Sequence, residues 1–243
     1  RSRGLGDVYM RQLFTVRPST INKVPIRTLQ YIKTLRLASK LTSLDLLDGR
    51  GKKALDVGCG SGKGLLALKL LGYEVYGFDI DPKCVQEARK LGFRNVLKYD
   101  VQIGIPFNES FDLITCFDVL EHLHEPEKAL RNMLVKSPKV LVIDVPNRHT
   151  EFLRLAYLIA FKHERIPASI SLGDGFLLKD RSHVNVKKPA EWRRIVLNLL
   201  LNRIGEMELR CFTNYVMASV GNRVFSIHLP LVGSSTLIVI ARR

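Results

Sequence analysis

Between residues 53 and 146, short β-rich runs take turns with helix-length segments. This alternation restricts the fold more than any other feature of the chain. "KALDV", "YEVYGFDI", "NVLKYDV", "FDLITCF" and "KVLVIDV" are rich in the branched and aromatic residues that suit strands. Between them, "KGLLALKLLG", "DPKCVQEARKLG" and "EPEKALRNMLV" carry helical spacing. Asp81 stands as an N-cap with Pro82 in the first helical position. Such alternation predicts a doubly wound α/β sheet, mostly parallel. "MELRCFTNYVMAS" and "STLIVIARR" bring the expected strands to seven, and "PAEWRRIVLNLLL" is a helix before them. Ahead of the first strand, Leu29, Ile32, Leu35, Leu37 and Leu41 recur at roughly helical spacing. The expected organisation is a helical extension or lid over residues 1–52, then a sheet domain over 53–243. Residues 146–188 form an insertion after the fifth strand. Ligands of such sheets bind at the carboxyl ends of the strands.

At the first of those ends stands "ALDVGCGSGKG", with glycines at 58, 60, 62 and 64. A nucleoside-triphosphate loop needs G-x-x-x-x-G-K-[ST], but Val57 occupies the first glycine position and Gly64 follows Lys63. Triphosphate binding is excluded. The dinucleotide pattern G-x-G-x-x-G fails too, with Lys63 or Leu65 where the third glycine belongs. What remains is D-x-G-x-G-x-G. Asp56, placed before the glycines, would repel a pyrophosphate but suits the ammonium of an amino acid; the alternative is a cap on the turn that follows. Asp79 ends the second strand, where an acid accepts from ribose hydroxyls, and Asp100 ends the third, where it accepts from an adenine amino group. Together these acids describe a pocket for an adenosine that bears an amino acid.

Charge adds a hint about partners. The net charge of +15 is concentrated in the flanks. Residues 1–53 carry 12 Lys/Arg against 3 Asp/Glu and residues 147–243 carry 15 against 7, whereas residues 54–146 are nearly balanced at 11 against 13. Basic flanks favour an anionic partner, or serve only as a solubilising surface. The four cysteines have no C-x-x-C spacing, so neither a zinc site nor a disulfide framework is indicated. Reduced thiols, no leader-like pattern in "RSRGLGDVYM" and no apolar run of membrane-spanning length give a cytoplasmic expectation.

"LDVGCGSGKG", "VYGFDIDP", "VLKYDV" and "FDLITCFDVLEHLHEPEKAL", in this order, resemble the consecutive motifs of the class I S-adenosylmethionine-dependent methyltransferases. Within these the chain looks most like the type 11/type 23 group that includes quinone-biosynthesis O-methyltransferases. The likeness covers residues 53–146 and runs more loosely through "LVIDVPNR" and "HVNVKKPAEW". It implies a Rossmann-like seven-stranded sheet whose last strand is antiparallel. It also implies that S-adenosyl-L-methionine is the cofactor and S-adenosyl-L-homocysteine the product. Carried over, Asp56, Gly58, Cys59, Gly60 and Gly62 would line the methionine and ribose side, with Cys59 chemically inert. Asp79 would hold the ribose and Ile80 flank the adenine. Asp100 and Val101 would contact adenine, and Phe117 would close the floor.

The acceptor is less constrained. The N/D-P-P-Y/F segment of amino-group methyltransferases is replaced by "FDVLEHL", which favours oxygen or carbon acceptors. Asp118, Glu121 and His122 share a face if that segment is helical, and related quinone methyltransferases hold a divalent metal with a comparable set. The plainer reading is that Glu121 and His122 orient the segment and fence the pocket, so no metal is expected. His149 and His183 are the candidate general bases. "EFLRLAYLIAFKHER" is either a buried helix or a lid that meets a membrane surface. The function expected is methylation of a small-molecule or lipid-like acceptor, anionic or amphipathic. An RNA methyltransferase that uses the basic flanks is the alternative.

Overall fold

The computed structural model describes residues 24–146, 170–171, 184–201, 206–220, 223–228 and 235–242. Helix α1 (Ile26–Thr42) leads into β1 (Lys53–Val57), α2 (Lys63–Leu70), β2 (Glu74–Asp79), α3 (Pro82–Lys90) and β3 (Val96–Lys98). Next come β4 (Leu113–Phe117), a single 3-10 turn at Leu120–His122, α4 (Pro126–Val135) and β5 (Val140–Pro146). The two-residue β6 (Ile170–Ser171), α5 (Pro189–Leu201), β7 (Met207–Val220), β8 (Arg223–His228) and β9 (Ser235–Arg242) complete the described elements.

The strands lie in the order β3-β2-β1-β4-β5-β9-β7-β6, and β8 pairs with β7. The five strands from β1 to β5 are parallel to one another; β9 runs antiparallel between β5 and β7. This is the expected seven-stranded frame with its last strand reversed. Two strands exceed the expectation: β6, inside the region expected as an insertion, and β8, which closes a hairpin with β7. Sequence α3 starts as its residues dictate, with the Asp81 side chain accepting from the Lys83 amide at 2.8 Å. No helix among the described residues is long and apolar enough to cross a membrane.

Strand alternation sorts the core into two layers. Leu55, Val57, Ile114, Cys116, Leu141, Ile143, Val145, Ile238 and Ile240 face α4 and α5, where Leu130, Met133 and Trp192 are fully buried. Ala54, Leu113, Val140, Val142, Leu237 and Val239 face the other way, toward Ile32, Leu35 and Ala38 of α1 and Ala67 and Leu68 of α2. By the same alternation Asp56, Thr115 and Asp144 point to the α1 side. Helix α1 therefore roofs over polar groups, and it buries Thr28, Gln30 and Thr34 beside its leucines. That mixed face is why its apolar periodicity is weak.

Candidate active site

The loop after β1 hangs from the second strand. The amides of Gly58 and Cys59 both donate to the Phe78 carbonyl, at 2.9 and 3.0 Å. Gly58 has φ +70°, and a Cβ there would stand 2.4 Å from Val119 Cγ2, so neither backbone nor space admits another residue. Asp79, at the tip of β2, fastens the turn: Oδ2 accepts from the Gly60 amide at 2.8 Å and Oδ1 from the Asp81 amide at 2.9 Å. Two backbone donors fix that carboxylate in place beside the loop.

A cavity of about 270 Å³ opens between this loop and α1. Asp56, Gly58, Cys59, Gly60, Phe117 and Asp118 line it, joined by Arg27, Gln30, Tyr31 and Thr34 of α1. Asp144, Tyr215 and Ser235 form the wall on the β5, β7 and β9 side. Asp79, Ile80, Asp100 and Val101 are not part of the cavity lining. They stand along the neighbouring strand ends, where the Ile80 side chain is 61% exposed, an apolar group left in solvent. Asp100 Oδ1 accepts from the Gln102 amide at 2.8 Å. Gly62 also sits outside the cavity, and a Cβ there would press on Phe93 and Ala88 instead. The Cys59 thiol is buried and held protonated by that burial and by Asp56 and Asp79.

Asp56 is the buried end of the cavity. Its Oδ1 accepts from the hydroxyl of Tyr31 and, at 2.9 Å, from that of Thr115. Tyr31 is stacked at a tilt on Phe117, ring centres 4.2 Å apart. Burial raises the Asp56 carboxyl to about 7; the Tyr31 and Thr115 hydrogen bonds oppose the rise and nearby Asp79 adds to it. Burial and Asp56 together push the Tyr31 phenol up as well.

Beyond β4, Asp118 takes φ +54° and meets Arg27 Nη1 at 3.2 Å through Oδ2. Glu121 is buried in the 3-10 turn, and neither of its carboxyl oxygens has a hydrogen-bond partner among the described residues. Burial, then Asp118 and Asp144, drive its carboxyl well above the usual range. The segment is not an α-helix, so the i, i+3, i+4 face expected for Asp118, Glu121 and His122 does not form. His122 Nε2 lies 3.9 Å from Glu121 Oε1, and among the described residues no three His, Cys, Asp or Glu side chains are arranged to hold a metal ion. Asn185 pins the following segment here, donating through Nδ2 to the Leu123 and His124 carbonyls at 2.6 and 3.1 Å. His149 and His183 lie outside the described residues, as does "EFLRLAYLIAFKHER".

Among the cavity groups that escaped the sequence reading are Arg27, Tyr31, Thr34, Asp144 and Tyr215. Asp144 carried a usable signal, because it is an acid near the end of the otherwise apolar β5, two residues before Pro146. The three α1 residues carried none, since their spacing merges with that of the leucines around them.

A parallel sheet reversed at its last strand, with a glycine loop and acids at the strand tips, is the frame of a class I methyltransferase. The family described as a methyltransferase domain matches residues 29–197, and the chain belongs to it. The chain is 33% identical over 131 residues to the ubiquinone biosynthesis O-methyltransferase of Chromobacterium violaceum, covering 48% of this chain and 54% of that one. With its counterpart in Xanthomonas oryzae it shares 30% over 140 residues, 54% and 57% of the two chains. The chain thus spans about half the length of the curated relatives it matches. Among solved structures, magnesium protoporphyrin IX methyltransferase of Synechocystis PCC 6803, with bound S-adenosylhomocysteine, superposes with TM-score 0.54 at 19% identity, over 99% of this chain and 95% of that one. The plantazolicin methyltransferase BpumL, also with S-adenosylhomocysteine, gives 0.60 at 14%, over 98% and 96%. At these identities the likeness speaks for the shared fold.

Proposed function

We propose that the chain binds S-adenosylmethionine in this cavity and methylates a hydroxyl of a small-molecule or lipid-like acceptor. The observation that carries the reading is Asp56, a buried carboxyl at the closed end of a cavity, beside a loop where a Cβ at Gly58 would not fit. S-adenosylmethionine, when bound, supplies an electrophilic methyl group on a sulfonium. Asp56 would take its ammonium, and Asp79, already fixed by two amides, would hold the ribose. Asp100, Val101 and the exposed Ile80 would hold the adenine. Tyr31 and Phe117 present a ring pair over the remainder and exclude water from it. The O-methyltransferase relatives favour oxygen as the acceptor atom. His149 and His183 are the proposed general bases through which its proton leaves the site. The basic flanks suit an anionic group on the acceptor, and the RNA reading rests on that charge alone.

Asp56 makes the cofactor test pH-dependent. Its folded-state value of about 7 lies above the ~4 of an unfolded carboxyl. Between those values the folded chain holds the extra proton, so this group lowers stability as pH rises through the window. A cation bound beside it favours the ionised form and expels that proton. S-adenosylhomocysteine affinity is therefore expected to fall by up to about tenfold per pH unit below 7, with proton release visible in calorimetry across buffers. Asp56→Asn should abolish both effects. Affinity that stays flat from pH 6 to 8 would count against the assignment, and no binding at all would end it.

The metal expectation is tested separately. Asp118 is engaged by Arg27, and Glu121 and His122 do not converge on a point with it. Methyl transfer is expected to persist in excess EDTA. Loss of activity that magnesium restores would make Asp118, Glu121 and His122 ligands after all.

A further inference from the structure

The wall opposite the glycine loop contains a hydrogen-bond chain with an unfilled end. Tyr215 has one hydroxyl proton and donates it to Asp144 Oδ2 at 2.5 Å. The Thr34 hydroxyl, 3.1 Å from the Tyr215 oxygen, must then be the donor in that contact. Donors thus run from α1 through β7 toward β5 and stop at one carboxyl. Its other oxygen, Asp144 Oδ1, is buried and has no hydrogen-bond partner among the described residues. The Val145 amide is near enough to favour the ionised carboxyl, while Oδ1 itself has no hydrogen-bond partner among the described residues. Gln30 Oε1, on the same cavity, is likewise buried without a donor. Gln30 and Asp144, from different elements, thus both line one cavity, and accepting oxygens left unmet in a buried place call for a ligand that donates.

The place of Asp144 says which ligand. Asp56 is level with Thr115 of β4, and Thr115 with Val142 of β5. Asp144 is on the same face one step further up β5. Two strand spacings separate it from Asp56, roughly 10 Å across the sheet. That is the far side of the cavity from the glycine loop. We propose that Asp144 holds the acceptor: Oδ1 receives the O–H of the hydroxyl to be methylated, while Tyr215, backed by Thr34, fixes the carboxyl through Oδ2. Burial and the Asp118 carboxylate press against ionisation of Asp144, and Tyr215 and Arg27 favour it. With Oδ2 taken by the Tyr215 proton, Oδ1 accepts in the ionised carboxyl, the form that Tyr215 and Arg27 favour. The inference rests on the methyltransferase reading above.

Asp144→Asn is the informative change because it keeps the shape and reverses the polarity. Its carbonyl oxygen must take the Tyr215 proton, which leaves an NH₂ donor facing the site. The probes are 3,4-dihydroxybenzoate and its dimethyl ether, 3,4-dimethoxybenzoate, titrated calorimetrically into protein saturated with S-adenosylhomocysteine. The native chain is expected to prefer the dihydroxy probe at least about tenfold, and Asp144→Asn to erase or invert that preference with unchanged cofactor affinity. Tyr215→Phe, which frees Oδ2 and loosens the carboxyl, should reduce the preference without inverting it, and decides the matter if the Asn variant does not fold. An unchanged preference in the variants, or none in the native chain, overturns the inference. Collapse of S-adenosylhomocysteine affinity in Asp144→Asn would do so too, by moving the oxygen to the cofactor side. Failure of the native chain to bind S-adenosylhomocysteine would instead take down the methyltransferase reading itself.

Discussion

Asp79→Ala is expected to weaken S-adenosylhomocysteine binding by tenfold to about 150-fold, or roughly 1.5–3 kcal/mol. The side chain has two duties. It fastens the Gly60 amide at 2.8 Å, which holds the loop turn against β2, and its remaining lone pairs are those assigned to the ribose. Alanine removes both. Asn keeps an acceptor for Gly60 but loses the charge, so Asp79→Asn should fall between the native chain and the alanine variant. Calorimetric titration of the three proteins with S-adenosylhomocysteine makes the comparison. Equal affinity across the series would remove Asp79 from the site, and tight NAD binding would reopen the dinucleotide reading that the glycine spacing argues against.

Gly64→Ala is the second large effect, and ordinary helix preferences predict its opposite. Gly64 sits in the first turn of α2, where alanine should gain up to about 1 kcal/mol. The added Cβ, however, would stand 2.3 Å from Asp56 Oδ2 and 2.6 Å from Tyr31 Cε2. Neither neighbour is free to swing aside, because each is hydrogen-bonded to the other and Tyr31 lies on Phe117. Overpacking of this kind costs about 1–3 kcal/mol, which outweighs the helical gain. The expected result is a lower melting temperature together with a loss of at least about tenfold in S-adenosylhomocysteine affinity. A stabilised Gly64→Ala protein with native affinity would show that the contact between α2, Asp56 and Tyr31 is looser than described.

Most of the sheet was legible because parallel central strands write themselves as unbroken apolar runs, and "KVLVIDV" is buried from Val140 to Pro146. Of the terminal strands, β9 was legible from the apolar run in "STLIVIARR". β8 was not singled out, although "RVFSIH" carries the branched and aromatic residues of a strand. On the proposed cofactor side, Asp56 and Asp79 stood out by position, Asp56 two residues before Gly58 and Asp79 as the last residue of β2. Asp118 and Glu121 were seen, with a shared face conditional on a helix there, and the positive φ of Asp118 leaves no mark in composition. The α1 groups were invisible for a different reason. Arg27, Tyr31 and Thr34 act only through strands that are distant in the chain, and local spacing holds no record of such contacts.

Those three residues are four and three positions apart, which sets them along one side of α1. They reach three different strands of the sheet: Arg27 to Asp118 beyond β4, Tyr31 to Asp56 on β1, and Thr34 to Tyr215 on β7. A helix is a rod, and a rod fastened at three points cannot be lifted from one while staying on the other two. Lifting α1 off the cavity therefore breaks all three attachments together. Among the described residues, α1 therefore leaves the sheet as one piece or not at all.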